Sequence, residues 1–490
     1  MHQALHIFKK DIRYLKNEIG LVLLMAVLLA ALHSPEFIRV IQFALLGAAA
    51  FLIGRLVLAE TIPGDRQFWI TRPYRWPSLL GAKLLFIVVF VNVPVFLAQL
   101  FILIADGFPL APSVPGLLWS QVLLFAFVSL PFAALAALSS GMVPFIFAQL
   151  MLLAAGYAIW ELLVVTRTAR LAGVDWMRDS IAFIALCATA IPVLFLQYRR
   201  RRTIFSRWFA LGGIAVAALA YISAPLTLAL ALETHLSKQP SLGSSMQVAL
   251  GQRFGDQFWR PVLEPKVMLH IPISVDGIPE GTEMQPDALS ISLQGADGRT
   301  AQLGAADCWD LKRGTISSSE ATISALCGLD PAFFQSRHES SVTLRASLYF
   351  TLFGNARSQT IPLSDAPANA LDGLQCYTNV VKAQWDVYCR SAFRWPDRLV
   401  YAKLGHTNAD SFAQFVSYSP FPATLNIDPV QTRWASTYAS GPPPKVRDVT
   451  IVTEEPLAHL RRDFEARDVQ LYPLAYPPSP FGPVPVHAIR

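Results

Sequence analysis

The chain has 490 residues, 53% of them hydrophobic and 15% charged, with a mean hydropathy of +0.41 and a formal net charge of +6. It is more apolar than a typical soluble protein, and the excess lies in its first half, which marks a membrane protein. Residues 1–232 hold 18 Lys+Arg against 9 Asp+Glu, and 233–490 hold 22 against 25, so the basic balance belongs to the membrane half. Basic residues at the ends of apolar runs are a topology signal, so the charge gives no reason to expect a nucleic-acid partner.

In residues 1–18, Leu5, Phe8, Ile12 and Leu15, followed by Ile19, recur at alternating spacings of three and four, while Lys9, Lys10, Asp11, Arg13, Lys16 and Asn17 fill the other face. This predicts an amphipathic helix lying in the membrane interface on the cytoplasmic side. The competing reading is the charged leader of a signal peptide. The length and periodicity of the segment, and the lack of a small-x-small cleavage site after it, favour the interfacial helix.

Apolar runs follow at about 19–32, 38–59, 79–105, 117–138, 143–165, 181–197 and 208–232. Most can span about 30 Å of hydrocarbon, which predicts seven transmembrane helices in a membrane domain at 19–232, the first and sixth being short. With the N-terminus inside, the cytoplasmic segments carry twelve Lys+Arg and the external loops three, and Arg199-Arg200-Arg201-Arg202 reads as a topology anchor. Arg55 reads equally as an anchor snorkelling to the headgroups or as a functional charge, and Glu161 as an interfacial residue.

An odd helix count sends everything after Leu232 outside: a linker at 233–247, containing the QPSLGSSM stretch, and then a β-rich domain at 248–490. Alternating apolar positions at Val267–Val275, Leu289–Leu293, Val342–Leu352 and Val381–Cys389 predict strands, and Asp297-Gly298 predicts a hairpin turn. Short strands separated by turns favour an extracytoplasmic antiparallel β-sandwich-like domain over an α/β enzyme core. Pro442–Pro444 and the stretch from Pro473 to Pro485 are expected to pack on it without forming sheet. Cys308, Cys327, Cys376 and Cys389 all lie in this domain and allow three pairings, of which proximity favours 308 with 327 and 376 with 389. Disulfides there imply an oxidising compartment.

Several chemistries have no motif here. There is no G-x-x-x-x-G-K-[ST] loop to hold a nucleotide's phosphates, no H-E-x-x-H, no G-x-S-x-G elbow and no Cys/His spacing suited to zinc. The expectation is a chain with no catalytic residues, no metal and no cofactor of its own.

The most unusual stretch is Glu60–Lys83, ETIPGDRQFWITRPYRWPSLLGAK, between two apolar runs. It gathers Arg66, Arg72, Arg75, Phe68, Trp69 and Trp76 in a turn punctuated by Pro63, Gly64, Pro73 and Pro77. Such a segment is too charged for hydrocarbon and too aromatic for a plain solvated loop, so it is expected at the cytoplasmic membrane face. Its bland reading is an interfacial belt contacting only lipid.

Glu60, then Phe68-Trp69-Ile70-Thr71-Arg72-Pro73, Arg75-Trp76 and Leu79-Leu80-Gly81-Ala82-Lys83 resemble the loop after the second helix of permease subunits of type-2 ATP-binding-cassette transporters. With the N-terminal interfacial helix, the resemblance covers about residues 1–200. It implies an inner-membrane transport subunit that is not itself an enzyme. Its loop residues Glu60, Arg66, Phe68, Trp69, Arg72, Pro73, Arg75 and Trp76 would dock on a separate cytoplasmic ATPase, which binds the ATP, and the chain would be a homodimer or paired with a homologous permease. Such permeases commonly have six helices and end inside, whereas this sequence predicts a seventh helix and an exported β-domain. Two other readings are a membrane-anchored receptor that binds through the β-domain, and a membrane enzyme acting outside.

Overall fold

The computed structural model describes residues 2–32, 37–59, 75–165, 175–200, 203–223, 226–239, 241–251, 267–304, 308–309, 320–337, 340–362, 364, 366–381, 384–393, 399–404, 412–415, 427, 429–438, 448–474 and 486–489. The first half is helical: α1 (His2–Tyr14), α2 (Lys16–Ala31), α3 (Ile38–Leu58), α4 (Trp76–Ile87), α5 (Val93–Ala105), α6 (Leu110–Leu124), α7 (Leu130–Leu138), α8 (Met142–Val165), α9 (Asp175–Arg200), α10 (Thr203–Ser223) and α11 (Leu226–His235). Every apolar run is helical where described. Among the described residues, five helices are long and apolar enough to cross a membrane, or up to six if α1 and α2, bent by 78°, count as one span. α10 contains a shorter apolar helix, Thr203–Leu219.

Two of the long helices are interrupted in the same way. α4 and α5 are joined by a π-helical turn at Val88–Asn92, and α6 and α7 by one at Phe125–Ser129. Both turns precede a proline in matching sequence, Phe90-Val91-Asn92-Val93-Pro94 and Phe127-Val128-Ser129-Leu130-Pro131. A proline inside a helix lacks the N–H for the usual bond, and its ring crowds the carbonyl four residues back. Widening the turn by one residue relieves that crowding without ending the helix.

The second half holds β1 (Gln247–Leu250), β2 (Val267–Asp276), β3 (Glu283–Gly295), β4 (Thr300–Leu303), β5 (Cys308–Trp309), β6 (Glu320–Leu329), α12 (Pro331–Arg337), β7 (Ser341–Pro362), β8 (Ala368–Asn369), β9 (Gln375–Val381), β10 (Gln384–Ala392), β11 (Leu399–Leu404), β12 (Phe412–Phe415), β13 (Val430–Tyr438), β14 (Asp448–Leu474) and β15 (Val486–Ile489). An 11-stranded sheet runs β4-β3-β7-β14-β15-β2-β6-β5, with β1 beside β2 and β11–β12 beside β14, and a 4-stranded sheet runs β13-β10-β9-β8. The described pairings are antiparallel except β15 with β2.

The Asp297-Gly298 turn joins β3 to β4, with Gly298 at φ 80°. Val381–Cys389 is not one strand: β9 ends at Val381 and β10 starts at Gln384, so the alternation runs through a hairpin whose strands pair with each other. Nor is the end of the chain free of sheet, because Pro473 lies in β14 opposite His487 of β15. Proline is tolerated where it need not donate to the ladder. Residues 439–447 and 475–485 lie outside the described residues.

Strands β7 and β14 are long enough to build two lobes. In the first, Leu344, Leu348 and Leu352 of β7 and Leu460 and Leu471 of β14 pack with Leu269, Ile271, Ile273, Leu289 and Ile291. In the second, Ile361 of β7 and Val449 and Ile451 of β14 pack with Leu374, Val387, Val400 and Ala402 around the Cys376–Cys389 disulfide. Between the lobes the β7–β14 ladder shifts register at Thr453/Glu455 and at Pro456/Ala458, and Asn355 takes φ 56°. This bulged stretch is the waist of the β-region. The other disulfide, Cys308–Cys327, ties β5 to β6 in the first lobe, and both disulfides join residues directly opposite on neighbouring strands.

The second lobe is seated on the helix bundle, at the α5–α6 turn. Arg390 of β10 pairs with Asp106, Gln375 donates to the Asp106 carbonyl (3.2 Å), and the Arg390 guanidinium lies 5.9 Å from the Phe108 ring centroid. Ile427 and Val430 are buried in the core of the bundle itself, with Ala392 and Phe393 packed against it. Gly116 of α6 permits this approach, since a Cβ there would stand 2.9 Å from a Phe393 ring carbon. Replacing Gly116 by Val should therefore loosen the lobe. Overpacking of about 1–3 kcal/mol corresponds to amide exchange in β10 and the α5–α6 turn faster by on the order of tenfold or more. Unchanged exchange would show that the contact does not hold the lobe down.

Candidate functional site

The 60–74 loop lies outside the described residues, and with it Glu60, Arg66, Phe68, Trp69, Arg72 and Pro73. Its two flanks are described, and the N-terminal helices are fastened to both. On the entry side, Arg55 of α3 donates to Glu18 of α2 at 3.2 Å and lies 5.6 Å from the centroid of the Tyr14 ring. On the exit side, Lys83 of α4 bonds Asp11 of α1 at 2.9 Å, with side chains only 2% and 3% exposed.

The sequence explains why α1 lies there. Ile7, Asp11 and Leu15, four residues apart, all face inward, with Phe8 and Ile12 beside them. Phe8 meets Phe86 edge-on and stacks on Phe90, both centroids at 5.9 Å, so α1 and α4 share an aromatic contact as well as the ion pair. Asp11 is thus not on the solvated face, as the charge pattern suggests, but in the centre of the buried one. A lysine eight residues into an apolar helix needs a counter-charge, and an aspartate on the helix crossing it supplies one. Neither partner is tolerable without the other.

Arg75 and Trp76 close the loop. Arg75 sits in extended backbone at the N-cap of α4, with Pro77 in the first turn where its missing N–H costs nothing, and its own N–H reaches the Gln3 side chain at 3.5 Å. Trp76 packs edge-on against Phe195 of α9 at 5.4 Å, and Arg199 caps that ring at 5.1 Å. At the same end of the bundle Arg207 of α10 donates twice to the Leu138 carbonyl (3.2 and 3.0 Å), satisfying an end carbonyl of α7. Arg75 and Trp76 therefore belong to one packed base under the loop, joining α1, α4 and α9.

A second polar group lies in the bundle, on the same long helix. Asn92, in the first π-turn, donates to the Gln121 carbonyl (2.9 Å), and Gln99 accepts from Ser120 (2.9 Å) and Gln121 (2.8 Å). The Gln99 amide donates to the Ile427 carbonyl of the docked lobe at 2.8 Å. Asn92 Oδ1 and Ser129 Oγ, at matching positions of the two π-turns, are buried without a hydrogen-bond partner among the described residues. Helix 76–105 thus carries the loop base at one end, a π-turn at its middle and the docked lobe at the other.

Among the described residues no three or more His, Cys, Asp and Glu converge as a metal centre requires. What the arrangement places on one helix is a held loop base at one end, a π-turn in the middle and a docked lobe at the other end. The signals for these features were a lone lysine inside an apolar run, an aspartate on the helix preceding it, and the repeated Phe-Val-(Asn/Ser)-(Val/Leu)-Pro. No protein-family model matches the chain, and no curated protein matches its sequence.

Breaking the buried pair from one side should be costly. Lys83→Met or Asp11→Asn alone should destabilise the bundle by about 3–5 kcal/mol, and Lys83→Met with Asp11→Leu should restore most of that. Thermal denaturation of the full chain in detergent measures all three. Additive losses in the double variant would mean that the two side chains do not depend on each other.

Proposed function

We propose that the chain is the membrane-spanning permease subunit of a type-2 ATP-binding-cassette transporter, which moves a substrate across the inner membrane using ATP hydrolysed by a separate cytoplasmic subunit. In this reading α2, α3, α4–α5, α6–α7, α8, α9 and α10–α11 make seven passes, with α1 in the cytoplasmic interface and the β-region outside as a sandwich-like domain. The observation that carries it is the bracing of the 60–74 loop: Glu18–Arg55 at its entry and Asp11–Lys83 at its exit fix both ends to the N-terminal helices.

That bracing is what a coupling element needs. A loop that receives a push from a soluble partner must not collapse at its base, and here the base is held by two ion pairs and the Trp76–Phe195 contact. Prolines stiffen the loop, aromatic side chains fill a groove on the partner, and arginines match an acidic rim. The 78° elbow between α1 and α2 suits a helix lying along the membrane face followed by one that enters it. The two disulfides of the β-region fit an oxidising compartment on the far side. The sequence has no G-x-x-x-x-G-K-[ST] loop, and a separate ATP-hydrolysing subunit is in keeping with that.

Trp69→Ala or Arg72→Ala should uncouple ATP hydrolysis from transport while leaving membrane abundance unchanged. The removed contact should cost about 2 kcal/mol or more of docking energy, or roughly thirtyfold in partner affinity. Gentle detergent purification of the native protein should yield a nucleotide-binding subunit in stoichiometric amount. Intact chain recovered without one would favour a receptor instead.

A further inference from the structure

At the waist between the two lobes, two carboxylates meet one phenol. Tyr401 of β11 donates to Glu283 Oε1 at 2.9 Å and lies 3.1 Å from Glu454 Oε1. Glu283 opens β3, in the first lobe, while Tyr401 and Glu454 lie where β11 pairs with β14, in the second. Phe353, Leu399 and Val452 wall the site. Glu454 is 3% exposed, and the outer oxygens Glu283 Oε2 and Glu454 Oε2 are buried with no hydrogen-bond partner among the described residues.

Counting hydrogens decides what this geometry can hold. A phenol has one hydrogen to give and can accept one in return. Two ionised carboxylates would compete for that hydrogen with like charges side by side in a largely buried site, which keeps one of such a pair protonated. If one carboxyl carries a proton, both contacts become proper hydrogen bonds: the carboxylic acid donates to the phenol oxygen and the phenol donates to the carboxylate. A divalent cation fits less well. Calcium asks for six to eight oxygens, and among the described residues no third His, Cys, Asp or Glu joins the pair.

Among the described residues, charged neighbours can be placed on β11 and β14. From β11, the Lys403 ammonium lies 5.2 Å from the Tyr401 ring centroid and favours an ionised Glu454. From β14, Glu455 is engaged elsewhere, with Lys238 (3.7 Å) and with Arg357 of β7 (3.9 Å). Burial and then the Glu283 charge outweigh Lys403 and the Tyr401 bond, and raise Glu454 from the usual 4.5 to about 7. Burial first, and then both carboxylates, push Tyr401 up, so the phenol keeps its hydrogen.

We propose that Glu283, Tyr401 and Glu454 form a single-proton site at the waist, and that losing the proton drives the lobes apart and loosens the lobe docked on the membrane helices. The sign follows from linkage. A carboxyl raised in the folded state favours the closed waist fully below its unfolded value, and that contribution is lost as pH rises through about 7. The two lobes are anchored differently, which turns a change at the waist into a movement. The first is tied to the end of α11 by His459 N–H to Ser237 Oγ (2.8 Å) and Gln239 N–H to the Leu457 carbonyl (3.0 Å), and the second to the α5–α6 turn through Arg390–Asp106. The β-region would thus report the acidity of the compartment it faces to the far end of helix 76–105.

The test is a spin-label distance between the lobes of the full chain in lipid nanodiscs. Labels go at Gln302→Cys in β4 and Ser358→Cys in β7, both exposed, with Cys187→Ser to remove the free thiol. The expected result is one pH-dependent step in the distance distribution, centred near 7, which vanishes in Glu454→Gln and in Glu283→Gln, both remaining in the acid-form distribution. A wild-type distribution that ignores pH, or an unchanged step in either glutamine variant, would overturn the proposal. So would a step that moves with added calcium at fixed pH. The wild-type series stands alone should a variant fail to fold.

Discussion

A single ammonium group, that of Lys83, sets much of the helical half. It lies in an apolar helix with 2% of its side chain exposed, where an unpaired charge is not tolerable, and Asp11 is its counter-ion at 2.9 Å. To bring Asp11 there, α1 must cross α4 with its Ile7–Asp11–Leu15 face inward, and α1 can do so only because the chain bends by 78° before α2. The aromatic contacts of Phe8 follow from that crossing, as does the reach of Gln3 to Arg75. With Glu18–Arg55 on the other flank, the N-terminal segment straps the base of the 60–74 loop.

The opposite end of the bundle is held by different chemistry. There the second lobe of the β-region presses Ile427, Val430 and Phe393 into the helices and pins the α5–α6 turn with Arg390. One long helix, 76–105, touches both ends, and it is interrupted at its middle by a π-turn whose Asn92 bonds the neighbouring helix. Interruptions of this kind are where helices bend. On the proposed reading, force applied at the loop travels along this helix to the docked lobe, and the matching π-turn at Phe125–Ser129 lets the paired helix follow.

Much of the outline was legible in the sequence, for physical reasons. A helix that crosses hydrocarbon must be long and apolar, so the runs marked helices, although five of them, or up to six, rather than seven are long and apolar enough among the described residues to cross a membrane; period-two alternation marked β2, β3 and β7. The Asp297-Gly298 turn and the two disulfide pairings followed from local chemistry. What was not legible depends on long-range proximity. Asp11 reads as a surface charge until α4 is laid across it. Val381–Cys389 reads as one strand because a tight hairpin keeps the alternation in phase. Glu283, Tyr401 and Glu454 are spread over more than 170 positions and meet only because the bulged waist of β7 and β14 brings β3 and β11 together. The loop residues Phe68, Trp69 and Arg72 carry the strongest sequence signal, and their flanks carry the structural one.

The central claim is that the braced loop is gripped by a soluble ATP-hydrolysing partner and not by lipid headgroups. The most direct measurement is a photo-crosslinking amino acid placed at Phe68 in native membranes, with the adducts identified by mass spectrometry. The account predicts a covalent adduct with a nucleotide-binding protein, whose yield changes when ATP is added. Adducts with phospholipid alone, the same with and without ATP, would contradict it.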